Sequence, residues 1–274
     1  MHPLITFIGG GNMAASLIGG LLAAGHPAQR LRASVRTPES AQRLRQRFGV
    51  ETVTDNAAAM AGAEVLVLAV KPQLMAEALR GLKAAPGVSV ISVAAGVRTE
   101  TLAQWLGTQA VVRSMPNTPA LFRAGISGLY AGPQVPETAR RHAEYVLGSA
   151  GQTCWVEREE LIDAVTALSG CGPAYYFRLT ESLRQAGVAL GLAPEVAAQL
   201  ALATFTGAAR MAEQAGEDVA VLRRQVTSKG GSTEAALEHL EAAGLDRIFG
   251  EALAAADRRA RLRGEELAQL AAKP

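Results

Sequence analysis

The chain has 274 residues, enough for one large α/β domain or two modest ones, and its 49 % apolar content excludes global disorder. Its 27 basic and 25 acidic residues nearly cancel, which gives no reason to expect nucleic acid as a partner. Two cysteines and four scattered histidines exclude a disulfide scaffold and a metal site of zinc-finger type. No run approaches the ~20 apolar residues needed to span a bilayer. The N-terminus has no basic segment of the signal-peptide kind. A cytoplasmic protein without a membrane partner is the expectation. The apolar share is unusual in kind, with 54 alanines and 28 glycines against 4 % aromatics. Such a core needs small side chains and close backbone approach. Only four of the basic residues are lysines: Lys71, Lys83, Lys229 and Lys273.

The first element is a short apolar strand over 4–8 that stops at a glycine cluster, followed by a helix over 14–24. Strands are expected over 31–35, 65–70, 88–93 and 110–113, with helical segments such as 38–48 and 73–82 between them. Strands alternating with helices argue for βαβ units and a parallel sheet. The unbroken apolar run at 65–70 suits a central strand covered on both faces. Later strands over 126–130 and 152–156 close the sheet. Beyond 156 the texture changes to long Ala/Leu/Glu/Arg segments at 160–168, 174–190, 194–214, 219–226, 233–243 and 246–267. Pro194 stands where a helix start tolerates it. Charge divides at the same place. Residues 1–155 hold 14 basic and 8 acidic residues, and residues 156–274 hold 13 and 17.

Gly9-Gly10-Gly11-Asn12-Met13-Ala14 fits the G-x-G-x-x-A pattern in its confirming context, after a strand and opening a helix. Gly9 permits the tight turn, Gly11 lets backbone approach a pyrophosphate, and Ala14 allows close helix packing. The helix N-terminus supplies free amides. The alternative is a glycine-rich turn in an ordinary α/β protein. At the end of the second strand no acid stands ready to bind ribose hydroxyls. Ser34, Arg36 and Thr37 offer hydroxyls and a cation suited to a 2′-phosphate, which favours NADPH over NADH, and Glu39 lies too far along to act as the ribose acid. Arg36 as a solvated loop residue is the alternative. Lys71, beside the turn-fixing Pro72, is placed to reach phosphate or ribose. Ser92 to Gly96 end a strand with small residues that admit a flat ring. Asn117 and Thr118 follow another strand, either as nicotinamide contacts or as a structural turn.

Three features mark the helical half. Ser169-Gly170-Cys171-Gly172-Pro173 breaks a helix at a cost that calls for a packing or ligand reason. Gly191 reads as a helix stop. Thr227-Ser228-Lys229-Gly230-Gly231-Ser232-Thr233 opens a helix with hydroxyls and free amides, which suit a carboxylate or ordinary capping by Ser232 or Thr233.

Together these residues resemble the Δ1-pyrroline-5-carboxylate reductase family over nearly the whole chain. The resemblance runs from Phe7 to Met13 through Ala69-Val70-Lys71-Pro72-Gln73 and Met115-Pro116-Asn117-Thr118-Pro119. It continues through 161–166, Gly172-Pro173-Ala174-Tyr175 and the Ser228 to Thr233 loop. It implies an α/β fold: a Rossmann-type, doubly wound, mostly parallel sheet in residues 1–156, then an all-helical dimerisation domain in 157–274. It implies reduction of pyrroline-5-carboxylate to L-proline with NADPH or NADH. The helical domains would intertwine in a homodimer, and in the family such dimers often assemble into decamers. The matching cofactor positions are Gly9 to Ala14, Ser34, Asn56, Ala69, Val70, Lys71, Pro72, Ala95, Gly96 and Val97. The matching substrate positions are Glu159, Gly172, Ser228, Gly231, Ser232 and Thr233. Lys229 stands where the family commonly has proline, Ser232 where it has threonine, and Cys171 where it has serine.

The implied chemistry is hydride transfer to a C=N carbon, with the Thr233 hydroxyl on the ring nitrogen and no dedicated His or Asp acid. Two rivals remain at this stage. A β-hydroxyacid dehydrogenase would need a lysine after the glycine break, and no lysine lies between Lys83 and Lys229. A non-catalytic NADP-binding sensor would have no use for the Ser228 to Thr233 loop.

Overall fold

A computed structural model of the chain describes residues 2–271. Ile5–Ile8 forms β1, buried at every position, and α1 follows at Asn12–Ala23. The chain then runs through β2 (Leu31–Ser34), α2 (Pro38–Phe48), β3 (Glu51–Val53), α3 (Asn56–Met60), β4 (Val65–Leu68), α4 (Met75–Ala78), β5 (Ser89–Ser92) and α5 (Thr99–Leu106). β6 (Val111–Pro116), β7 (Gly125–Ala131), α6 (Glu137–Gly148) and β8 (Gly151–Trp155) complete the sheet. Only helices follow among the described residues: α7 (Leu161–Val165), α8 (Gly172–Ala189), α9 (Pro194–Ala215), α10 (Val219–Gln225), α11 (Ser232–Ala242) and α12 (Leu245–Ala271). None of the described helices is long and apolar enough to cross a membrane.

The eight strands pair in the order β3-β2-β1-β4-β5-β6-β7-β8. Every pair is parallel except β6 with β7. The order reverses between β1 and β4, so the connections leaving those strands diverge and open a crevice at their carboxyl ends. The alternation of side chains explains why β4 reads as an unbroken apolar run. Val65 and Val67 enter one core with Leu17 and Leu21 of α1 and Val146 and Leu147 of α6. Leu66 and Leu68 enter the opposite core with Met75, Leu79, Leu102 and Leu106. Both faces of the strand are therefore covered.

Two expectations need correction. The helix expected over 73–82 is a 3-10 turn, Pro72–Leu74, followed by the single turn of α4. Gly81 adopts a φ of +72°, and Pro86 and Gly87 follow, so the helix has nowhere to extend. β3 was not anticipated, because its three residues are too few to show a period. By its contacts the chain falls into two compact parts: the first runs to Cys171 and resumes at Ala255, and the second is Gly172–Ala254. Residues 157–171 are helical but pack on the sheet, where Ile162, Asp163 and Ala167 are buried. Within the same part, Leu267 of α12 lies in the core with Val97 and Leu102.

The second part, Gly172–Ala254, has little core of its own, and Gly172 and Ala197 are its only buried residues. α8 pairs with α9, with Tyr176 and Phe205 stacked at 5.5 Å between ring centroids. Phe177, Leu179, Leu183, Leu200, Leu202 and Met211 remain exposed. Each such side chain forgoes roughly 1.5–3 kcal/mol of burial while uncovered.

Candidate active site

The carboxyl edge of the sheet gathers the glycine turn and three following loops. Gly9 sits at φ +104°, and a Cβ there would lie 2.6 Å from the Ala69 carbonyl oxygen. Its amide donates to the Ser34 carbonyl at 3.0 Å, so the turn is stitched to the ends of both neighbouring strands. A Cβ on Gly10 would collide with Val35, whereas one on Gly11 would meet nothing. Gly11 is the N-cap of α1 and offers no side-chain acceptor, and the first turn, Asn12 to Ala14, contains no acid. Its amides therefore face an open space with the positive end of the helix dipole behind them. Ser34 is 1 % exposed, and its hydroxyl has no hydrogen-bond partner. An open helix N-terminus, a glycine cradle and an orphaned hydroxyl fit the pyrophosphate and adenosine end of a dinucleotide.

The other loop residues divide by what already holds them. Arg36 and Lys71 are exposed at the ends of β2 and β4. Thr37 is committed as the N-cap of α2, accepting from the Ser40 amide. Its hydroxyl is thus not free for a phosphate. Glu39 stands in the first turn of that helix. Its own backbone amide and the Thr37 side chain hold its carboxyl below the usual carboxylate range. Asn56 donates through Nδ2 to the Ala78 carbonyl at 2.8 Å, tying α3 to α4. Ala69 donates to Ile8, and Val70 and Pro72 shape the turn beside it. In the loop after β5, Ala95 is half-buried, Gly96 adopts a φ of +79° against Gly264 and Leu267, and Val97 points into the core.

Asn117 and Glu159 are engaged inside the first part. Asn117 donates to the Ser169 carbonyl at 3.2 Å and accepts from the Ile126 amide at 3.0 Å. It thereby fixes the π-helical turn Thr166–Gly170, and a Cβ on Gly170 would press on Met115. Glu159 accepts both the amide and the hydroxyl of Thr99 and pairs with Arg113. Arg113 also pairs with Asp163 at 3.1 Å and is only 2 % exposed. This buried cluster was not expected. Arg113 stands at the end of the anticipated strand, whereas β6 runs on to Pro116 and carries it into the interior.

The helical part holds the remaining candidates. Gly172 opens α8 and is buried. Gly231 is the N-cap of α11 and its amide donates to the Ser228 carbonyl, while Gly230 donates to the Glu234 carboxylate at 2.6 Å. Ser232 and Thr233 occupy the first two helical positions, and no side chain caps the helix. Ordinary capping by either residue is thus not what the loop does. Ser228, Lys229, Ser232 and Thr233 all expose their side chains.

A family model described as pyrroline-5-carboxylate reductase dimerisation matches residues 159–262, and one described as NADP oxidoreductase, coenzyme F420-dependent, matches residues 4–96. The chain is 46 % identical over 270 residues to a pyrroline-5-carboxylate reductase of Pseudomonas aeruginosa, covering 97 % of this chain and 99 % of that one. Among solved structures it is similar to a pyrroline-5-carboxylate reductase from Coxiella burnetii. That match has a TM-score of 0.91 at 40 % identity, over 96 % of this chain and 99 % of that one. It is also similar to a Plasmodium falciparum pyrroline carboxylate reductase with NADP bound. There the TM-score is 0.80 at 27 % identity, over 96 % and 98 % of the two chains.

Proposed function

The chain belongs to the pyrroline-5-carboxylate reductase family, and on that premise we propose how its own residues carry the reduction of 1-pyrroline-5-carboxylate to L-proline. It is an oxidoreductase acting on a CH–NH group, with a nicotinamide cofactor and a small-molecule substrate. The observation that carries the site assignment is the N-terminus of α11: exposed hydroxyls, amides without a side-chain cap, and a glycine pair in which Gly230 takes a φ of +72° and Gly231 lets the turn close on Ser228.

A bound reduced nicotinamide supplies the hydride. The chain's task is to hold two partners in register and exclude alternatives. Gly9, Gly10, Gly11, Asn12, Met13 and Ala14 present the α1 amides to the pyrophosphate. Ser34 and Arg36 read the adenosine ribose, and the cation favours a 2′-phosphate, hence NADPH over NADH. Lys71 adds a second cation beside Ala69, Val70 and Pro72. Ala95 and Gly96 offer flat backbone to the ring.

In the helical part, Ser228, Gly231 and Ser232 hold the substrate carboxylate. The Thr233 hydroxyl oxygen accepts a hydrogen bond from the N–H of the protonated ring nitrogen and orients the C=N bond. Lys229 contributes a cation near that carboxylate. A protonated imine needs little further acid, so a hydroxyl suffices where a stronger acid would otherwise be required. Residues 157–274 are the substrate-binding share of the chain on this reading.

Dimerisation is the role of the helical part. The exposed leucines and aromatics of α8 and α9 are the surface it would cover, in an intertwined homodimer that could assemble further to a decamer. Both cysteines are free, which suits a reducing, cytoplasmic compartment.

The decisive assay follows NADPH absorbance with pyrroline-5-carboxylate beside a β-hydroxyacid panel. Thr233→Ala should lower kcat/KM at least tenfold, about 1.4 kcal/mol of transition-state stabilisation. Wild-type kinetics in that variant would remove Thr233 from the mechanism. Turnover of the β-hydroxyacids alone would overturn the substrate.

A further inference from the structure

The helix α5 begins without a cap of its own. Arg98 is its N-cap residue and makes no side-chain cap hydrogen bond. The missing acceptor comes from 60 residues away: Glu159 takes the Thr99 amide on Oε1 at 2.8 Å and the Thr99 hydroxyl on Oε2 at 2.9 Å. Oε1 also accepts from Arg113 at 3.3 Å, and Arg113 is locked in turn by Asp163. Both carboxylate oxygens are therefore engaged, and the side chain is only 12 % exposed. A carboxylate so occupied has little capacity left for a substrate cation. At the rim, Arg98 and Glu160 pair at 3.6 Å and join the same two segments again.

Ala95 and Gly96, just before Thr99, are the backbone assigned above to the nicotinamide ring. The loop leaves β5 beside β4, since the Val93 amide donates to the Leu68 carbonyl at 3.1 Å. It is then held from below, with Val97 in the core and Gly96 against Gly264. Its far end is fixed through the two Thr99 hydrogen bonds and, at the rim, through the exposed Arg98–Glu160 pair. The height of the Ala95-Gly96 backbone thus depends on where Glu159 holds the start of α5. Resting on the cofactor reading above, we infer that Glu159 is a positioning residue for the dinucleotide, acting through Thr99 and anchored by Arg113, and not a ligand of the imine substrate.

The test uses the full-length protein and measures NADPH affinity directly, without substrate, by nicotinamide fluorescence. Thr99→Val and Glu159→Gln should each weaken NADPH about tenfold. The double variant should be weaker than either single by no more than about twofold, because both remove one link. Thr99→Ser should restore the wild-type affinity. At saturating NADPH the KM for pyrroline-5-carboxylate should stay at its wild-type value in all of them. The inference is overturned if Glu159→Gln raises that KM while NADPH affinity is unchanged, or if Thr99→Val is silent. Failure of the wild-type protein to bind NADPH would remove the cofactor reading and this inference together. Normal wild-type binding with silent variants would remove this inference alone.

Discussion

Arg113→Met offers a quantitative test of the buried cluster. The substitution keeps an apolar stem of similar length and removes the guanidinium that bridges Glu159 at 3.3 Å and Asp163 at 3.1 Å. The two carboxylates are then left at 12 % and 4 % exposure without their cation. Glu159 retains the two donors of Thr99, so most of the penalty falls on Asp163. Breaking a buried pair by removing one partner costs about 3–5 kcal/mol. The sheet-bearing part has about 190 residues. For a domain of that size about 1 kcal/mol moves Tm by roughly 2–4 °C, so a fall of about 6–20 °C is expected. Thermal unfolding should be followed by circular dichroism at fixed protein concentration, because oligomerisation shifts apparent stability. Adding Asp163→Leu should recover at least half of the loss, since an apolar replacement of a whole buried pair is often close to neutral. A Tm within about 2 °C of wild type for the single variant, or additive losses in the double, would refute the reasoning.

Three further outcomes follow from the same geometry. Arg36→Ala should weaken NADPH more than NADH in direct binding, and equal losses for both would reject a 2′-phosphate contact. Gly9→Ala places a Cβ 2.6 Å from the Ala69 oxygen at a φ of +104°, which costs on the order of 1–3 kcal/mol in backbone strain alone. Dinucleotide binding should be lost with a lowered Tm, and an unaltered variant would show that the turn is more pliable than its packing implies. Burial pushes the His26 and His142 imidazoles below the ordinary value of about 6.5. The unfolded chain therefore takes up protons first as pH falls. The stabilisation is complete above about pH 6.5 and is lost as pH drops through the lowered folded values. The urea midpoint should fall between pH 7.5 and 5.5, about the range spanned by histidine titration, and His142→Gln should flatten the slope. A wild-type midpoint indifferent to pH would contradict this.

Much of the fold was legible because its signals are local. β1, the glycine turn and β4 announce themselves through apolar runs that end in residues with obligatory backbone roles. The open N-terminus of α1 is likewise written in Gly11 and the acid-free turn after it. Arg113 was not legible in this way. An arginine at the end of a valine run reads as a strand terminus, and only the antiparallel pairing of β6 with β7 shows the strand passing beyond it. Glu159 was assigned by resemblance to the substrate, yet its partners lie on α5 and β6, brought together by tertiary packing alone. The helix expected over 73–82 failed for another reason, since apolar periodicity carries no weight against Pro72 before the segment and Gly81 within it. The same limit applies to residues 157–171, whose helical pattern is correct but says nothing about which part they pack on.

The return of α12 to the sheet has a consequence for synthesis. Leu267 completes a core whose other members, Val97 and Leu102 among them, were made about 170 residues earlier. A ribosome adds roughly 5–20 residues per second, so that core stays short of one side chain for many seconds after its strands have emerged. Contacts so distant along the chain also slow folding, because loop closure must precede the gain from packing. The loop at Gly96, which packs against Gly264, is therefore the last part of the sheet's edge to be secured.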